Sequence, residues 1–138
     1  MALELKFSIK GGDFANAGKA SSQIKKVLKQ LNVDAKSIKK VIVAVYEAEV
    51  NVAAHAYSGN LTADIGENEI EITVLDKGPG IDDIELAMQE GFSTASTEVR
   101  EMGFGAGMGL PNIKKNTDKL NIESKTGEGT TLKFRCFY

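Results

Sequence analysis

The sequence predicts an α+β fold, a two-layer sandwich in which a mixed, mostly antiparallel sheet carries helices on one face. Three observations point to it. Segments with the period-two alternation of strands interleave with segments of helical period. The strands are joined largely by short glycine-bearing turns, which predicts hairpins. Finally, 42% of the 138 residues are hydrophobic, an ordinary share for one packed core, so residues 1–138 are expected to form a single domain.

The elements follow in order. Leu3, Leu5, Phe7 and Ile9 alternate with polar residues, as in a half-buried strand. Gly11-Gly12 ends it, and Asp13 is placed to cap a helix reaching about Leu31, with Ile24, Leu28 and Leu31 on its core-facing stripe. Asn32-Val33-Asp34 breaks that pattern. A longer helix is expected over residues 35–57, stopped by Ser58-Gly59-Asn60. Strands at 61–65 and 70–75 flank Gly66-Glu67-Asn68 as a hairpin. Asp76 opens a turn, and residues 84–89 read as a short helix. Residues 91–109 have no period of their own, and a loop that long in a compact domain is often a binding loop or lid. Helical character resumes from Leu110 to about Asp118. Strands at 120–124 and 130–137 close the chain around Thr126-Gly127-Glu128-Gly129.

Composition excludes several function classes. A net charge of -2 does not suit a concentrated nucleic-acid-binding face. The pairs Lys25-Lys26, Lys39-Lys40 and Lys114-Lys115 read as solvated helix faces. Cys136 is the single cysteine and His55 the single histidine, so disulfides within the chain and Cys- or His-rich metal sites are out. Glu4, Lys6 and Lys10 interrupt any signal-like apolar start, and no apolar run approaches the ~20 residues that cross a bilayer. A cytoplasmic protein without membrane or nucleic-acid partners is expected.

Three stretches carry chemistry. Glu47, Asn51 and His55 recur at i, i+4 and i+8 along one face of the long helix. A carboxylate and an amide on a buried helix cost free energy unless paired or hydrated. Structural pairing explains Glu47 alone; Mg²⁺ with its waters explains Glu47 and Asn51 together. Asp76-Lys77-Gly78-Pro79-Gly80-Ile81 follows a strand. A type II turn accounts for Pro79-Gly80, but not for Gly78 or for a carboxylate at the strand's end, which suits the amino group of an adenine. Gly103-Phe104-Gly105-Ala106-Gly107-Met108-Gly109 leads through Leu110-Pro111 into a helix. Proline favours the first helical position, and amides running into a helix start attract anions. This spacing fits neither a dinucleotide fingerprint nor a P-loop, and ordinary protein-kinase motifs are missing. A fourth stretch, Gly127-Glu128-Gly129-Thr130-Thr131, is explained by a hairpin turn.

Taken in order, these four stretches resemble the N box, the D-x-G-x-G box, the glycine-rich box and the last box of the GHKL ATPases, whose fold is the Bergerat fold. Glu47-Ala48-x-x-Asn51-x-x-x-His55-Ala56-Tyr57 and Gly91-Phe92-Ser93-Thr94 are similar to the bacterial anti-sigma-factor serine kinases, most of all to the switch-kinase branch. Residues 95–102 make the lid longer than the compact lid of that branch.

The resemblance implies ATP and Mg²⁺ as ligands, and roles for particular residues. Asn51 would ligate Mg²⁺ and Glu47 would be the general base, with Glu49 pointing roughly opposite. Asp76 would read adenine with Thr130. Gly78 and Gly80 would give the ring clearance. Gly105, Gly107 and Gly109 would wrap the phosphates, with Arg100 reaching the γ-phosphate. Ile81, Ser93, Thr94, Gly103, Ala106, Met108 and Leu110 would complete the nucleotide pocket. His55 reads as a satisfied histidine at the helix end. The implied partners are ATP or ADP and a STAS-type antagonist or sigma factor, with a homodimer favoured.

The expected function is transfer of the ATP γ-phosphate to a serine or threonine of a protein partner, so that the protein acts as an anti-sigma-type switch. The alternative is a nucleotide-gated binding module without phosphotransfer. The ATP half of a two-component histidine kinase is disfavoured, because this length leaves no room for a phosphoacceptor dimerisation domain.

Overall fold

The computed structural model describes residues 3–81, 83–88 and 109–138. In chain order they form β1 (Leu3–Lys10), a 3-10 turn (Phe14–Asn16), α1 (Lys19–Gln30), α2 (Ala35–His55), β2 (Ser58–Ile65), β3 (Glu69–Lys77), α3 (Ile84–Ala87), α4 (Gly109–Lys115), β4 (Lys119–Lys125) and β5 (Gly129–Phe137). The five strands make one sheet in the order β1-β2-β3-β5-β4. Each pairing in it is antiparallel, so among the described residues the sheet is not mixed as expected.

Register explains why the helices cover one face. Leu61 pairs with Val74, Ala63 with Ile72 and Ile65 with Ile70. Ile72 in turn faces Phe134, and Val74 faces Leu132. These residues are buried and share one side of the sheet. The other side carries polar cross-strand pairs, such as Glu71 opposite Arg135, whose side chains meet at 2.6 Å.

α2 is the central helix. Asp34 caps it, Oδ2 accepting from the Ser37 amide at 2.9 Å. Ile38, Val41, Ala44, Val45, Ala48 and Val52 form its buried stripe against the sheet. Its C-terminal end lies close to the strands because two neighbours lack side chains. A Cβ on Gly59 would stand 2.9 Å from Val52 Cγ1, and one on Gly78 would stand 2.9 Å from Ala56 Cα.

Three expectations need correction. The first helix begins at Lys19, not beside Asp13. Residues 14–16 close a 3-10 turn in which Asp13 Oδ2 accepts from Asn16 Nδ2 at 2.7 Å, and Gly18 sits at φ +103, a conformation that interrupts a helix. Leu31 is 53% exposed at the C-cap of α1 and is not on the core stripe. Finally, Ser58-Gly59-Asn60 does not merely stop α2 but opens β2, pairing with residues 8–10 and 75–77.

Candidate functional site

The ends of β3 and α2 meet at Gly59, which lies opposite Asp76 in the sheet and under Val52, the residue after Asn51. A Cβ at Gly59 would be 3.4 Å from Asp76 Cβ. This contact brings the Asp76 end of the strand against the C-terminal part of the helix, at Val52.

Asp76 is tightly framed. Oδ1 accepts from the Thr130 amide at 3.0 Å. Among the described residues Oδ2 has no partner. Burial raises the carboxyl above its ordinary value, opposed by the Thr130 amide. Gly129, at φ +152, lies against the Asp76 carbonyl, where a Cβ would collide.

The β4–β5 turn is stitched to the 78–81 turn. Gly78 N donates to Glu128 O at 3.2 Å and Gly127 N to Pro79 O at 2.8 Å. Ser124 Oγ accepts from Ile81 N at 2.7 Å, donates to Gly129 O at 3.1 Å and lies 2.8 Å from Thr130 Oγ1. With the one Ser124 hydrogen on the Gly129 carbonyl, Thr130 is the donor of that last bond. So the hairpin that seemed to be only a turn is the second wall of the Asp76 cluster.

Sequence reasoning missed Ser124. Its signal was present: Leu120, Ile122 and Ser124 share the inward-facing positions of β4, so a hydroxyl stands in an apolar stripe. The two turn glycines are each packed closely against the fold. The space beside Gly78 is taken by Ala56, and a Cβ on Gly80, at φ +78, would stand 2.6 Å from the Lys125 carbonyl oxygen.

On α2, Glu47 is half-buried and faces the start of α4. Its Oε1 accepts from Asn112 Nδ2 at 3.3 Å, and a Cβ on Gly109 would stand 3.6 Å from Oε2. Asn112 was likewise not foreseen. Asn51, one turn on, is half-buried and makes no side-chain hydrogen bond to a described residue. Two residues turn a helix by about 200°, so Glu49 points away as expected. It is 2% exposed, and its two oxygens accept from the Ala20 and Ser21 amides at 2.8 and 3.3 Å. His55 is partly buried and engaged, and burial lowers its imidazole below the ordinary value.

Leu110 is 7% exposed and its side chain belongs to the core, while Gly109 lies beside Glu47. Ser93, Thr94, Arg100, Gly103, Gly105, Ala106, Gly107 and Met108 lie outside the described residues. Among the described residues no group of three or more His, Cys, Asp or Glu could hold a metal ion by itself. A half-buried amide with no partner among the described residues, beside a carboxylate, suits a hard cation that keeps water and phosphate as its other ligands. No helix among the described residues is long and apolar enough to cross a membrane.

Comparison with known proteins matches residues 12–136 to the histidine kinase-like ATPase domain. The anti-sigma F factor of Caldanaerobacter subterraneus subsp. tengcongensis is 35% identical over 136 residues, covering 95% of this chain and 90% of that protein. The serine/threonine-protein kinase RsbT of Bacillus subtilis is 33% identical over 110 residues, 77% of each chain. Among solved structures, the RsbU and RsbW domains of a Mycobacterium tuberculosis protein superpose with a TM-score of 0.65 at 16% identity. That match covers 97% of this chain and 32% of the other, and it bears on the fold alone.

Proposed function

The chain belongs to the histidine kinase-like ATPase domain family, and from that premise we propose that it is an ATP-dependent protein serine/threonine kinase acting as an anti-sigma-type switch. The anti-sigma F factor and RsbT likenesses support this reading. The observation that carries it is Glu47, half-buried and held toward α4 by Asn112, one turn before an amide with no described partner.

The proposed roles are these. Asp76 accepts the adenine amino group on Oδ2 while Thr130 anchors Oδ1. Asn51 would hold Mg²⁺ through its amide oxygen, and the ion would supply charge neutralisation to the transferred phosphate. The Gly109 end of the glycine-rich loop supplies backbone amides to the phosphates, joined by Gly103, Gly105 and Gly107. Glu47 accepts the proton of the attacking serine or threonine hydroxyl. The partner is a STAS-type antagonist or a sigma factor, the protein works in the cytoplasm as one domain, and the active form is a homodimer.

A second reading, nucleotide-gated binding without transfer, draws on the Asn112–Glu47 bond, an engagement that a base does not require. Transfer of labelled γ-phosphate to a STAS-domain protein separates the two. Glu47→Ala is expected to retain ATP affinity by calorimetry and to lose transfer on the order of 100-fold or more. Undiminished transfer removes Glu47 as the base, and no transfer by the unaltered protein leaves the gated module.

A further inference from the structure

The chain has a net charge of -2, yet residues 25–40 contain six lysines against one acid, Asp34. Along the chain these lysines look like solvated helix faces. The fold gathers three of them. The turn between α1 and α2 brings Lys25 and Lys29 from the end of α1 to Lys39 on α2, where they rim a groove of about 530 Å³ whose floor includes Val33, Ile42 and Val43. Leu31, 53% exposed, stands in the same turn. Asp34 points its carboxylate at the Ser37 amide of α2 and, among the described residues, makes no ion pair with the rim. Among the described residues no ion pair involves the three rim lysines.

We propose that this groove docks an acidic amphipathic helix of a protein partner, its apolar stripe on the floor and its carboxylates on the rim. Charge complementarity selects the sign of the partner, and the recessed apolar floor selects its amphipathic shape. A nucleic acid fits less well, because no aromatic ring or arginine lines the groove to stack a base or fork a phosphate. A membrane surface fits less well because the apolar area is recessed behind the lysines. The groove adjoins the nucleotide site without sharing its residues: Val43 is one turn before Glu47 on α2. A partner held here lies alongside the pocket whether or not phosphate is transferred.

The test uses the ¹⁵N-labelled full chain and a synthetic helical peptide with leucines at i, i+4 and i+7 flanked by glutamates. Expected are saturable binding, amide shifts concentrated in residues 25–43, and a loss of about tenfold or more in affinity for the triple variant Lys25→Glu, Lys29→Glu, Lys39→Glu. The three lysines are exposed, so this variant keeps the fold, which its circular dichroism and melting temperature check. A peptide with serine at the three leucine positions should lose affinity to a similar degree on the unaltered protein, independently of any variant's folding. The proposal is overturned by no saturable binding, by shifts centred elsewhere, or by equal affinity of either control. It is also overturned if a single-stranded oligonucleotide or phosphatidylglycerol vesicles occupy the groove more tightly than the peptide.

Discussion

The two oxygens of Asp76 are in different circumstances, and the difference gives the residue its chemistry. Oδ1 is anchored by the Thr130 amide, while Oδ2 has no described partner. Asparagine in its place can keep the anchored carbonyl oxygen but turns an N–H₂ donor toward whatever donates to Oδ2. For an adenine amino group that replaces an attraction by a repulsion. Asp76→Asn is therefore expected to weaken ATP binding by roughly 10- to 100-fold, the scale of one charge-assisted hydrogen bond, with little change in melting temperature. Equal affinity by calorimetry would remove Asp76 from the adenine role. At this scale the sequence was informative where a residue type is unusual for its place, as with a carboxylate and two glycines ending a strand. It was blind where the partner is remote. Ser124 is 43 residues from Ile81 and Asn112 is 65 from Glu47, and no local pattern relates such pairs.

At the scale of elements, α1 begins without a capping side chain of its own. Gly18 holds the N-cap position, and the carboxylate of Glu49 on α2 takes the Ala20 and Ser21 amides instead. That explains why a buried glutamate stands on a helix otherwise given to valine and alanine. Removing it orphans two buried donors, so Glu49→Ala is expected to cost about 2–4 kcal/mol in chemical denaturation. The pH dependence has a definite sign. Burial raises the Glu49 carboxyl above its ordinary value of 4.5, against the pull of the two amides. Below 4.5 the folded and unfolded chains are both protonated. As pH rises from there through the raised folded value, the unfolded chain releases its proton first and this group's contribution to stability falls. The deficit of Glu49→Ala should therefore be larger near pH 4.5 than at pH 7, and a deficit that does not vary over this range would contradict the assignment. Element types were legible because their periods differ, whereas the start of α1 was not. Asp13 has the composition of a cap, but its carboxylate bonds Asn16, and the true cap comes from another helix.

Over the whole molecule, the alternation of β2, β3 and β5 and the valine stripe of α2 define one continuous core, and the α+β sandwich follows from them. The strand order β1-β2-β3-β5-β4 was less legible, because it depends on which edge each hairpin joins. Cys136, on the core side of β5, reports on that core. Burial, with Asp118 adding to it, pushes the thiol up to about 12 although Lys40 opposes the shift, and Sγ donates to Asn116 O at 3.5 Å. Its reaction with iodoacetamide at pH 8 is expected to be about 1000-fold slower in the folded than in the unfolded protein, so the labelling rate tracks opening of the sheet; comparable rates would place the thiol at the surface. The placing of Glu47 and Glu49 on α2 also limits how the chain can change over generations. One extra residue before position 47 would rotate everything beyond it by about 100°, swinging Glu47 off Asn112 and Glu49 off α1 in a single step. Substitutions in α2 can be tried one at a time, but its length cannot drift. Descendants of this chain should keep the count from Asp34 to His55 unaltered.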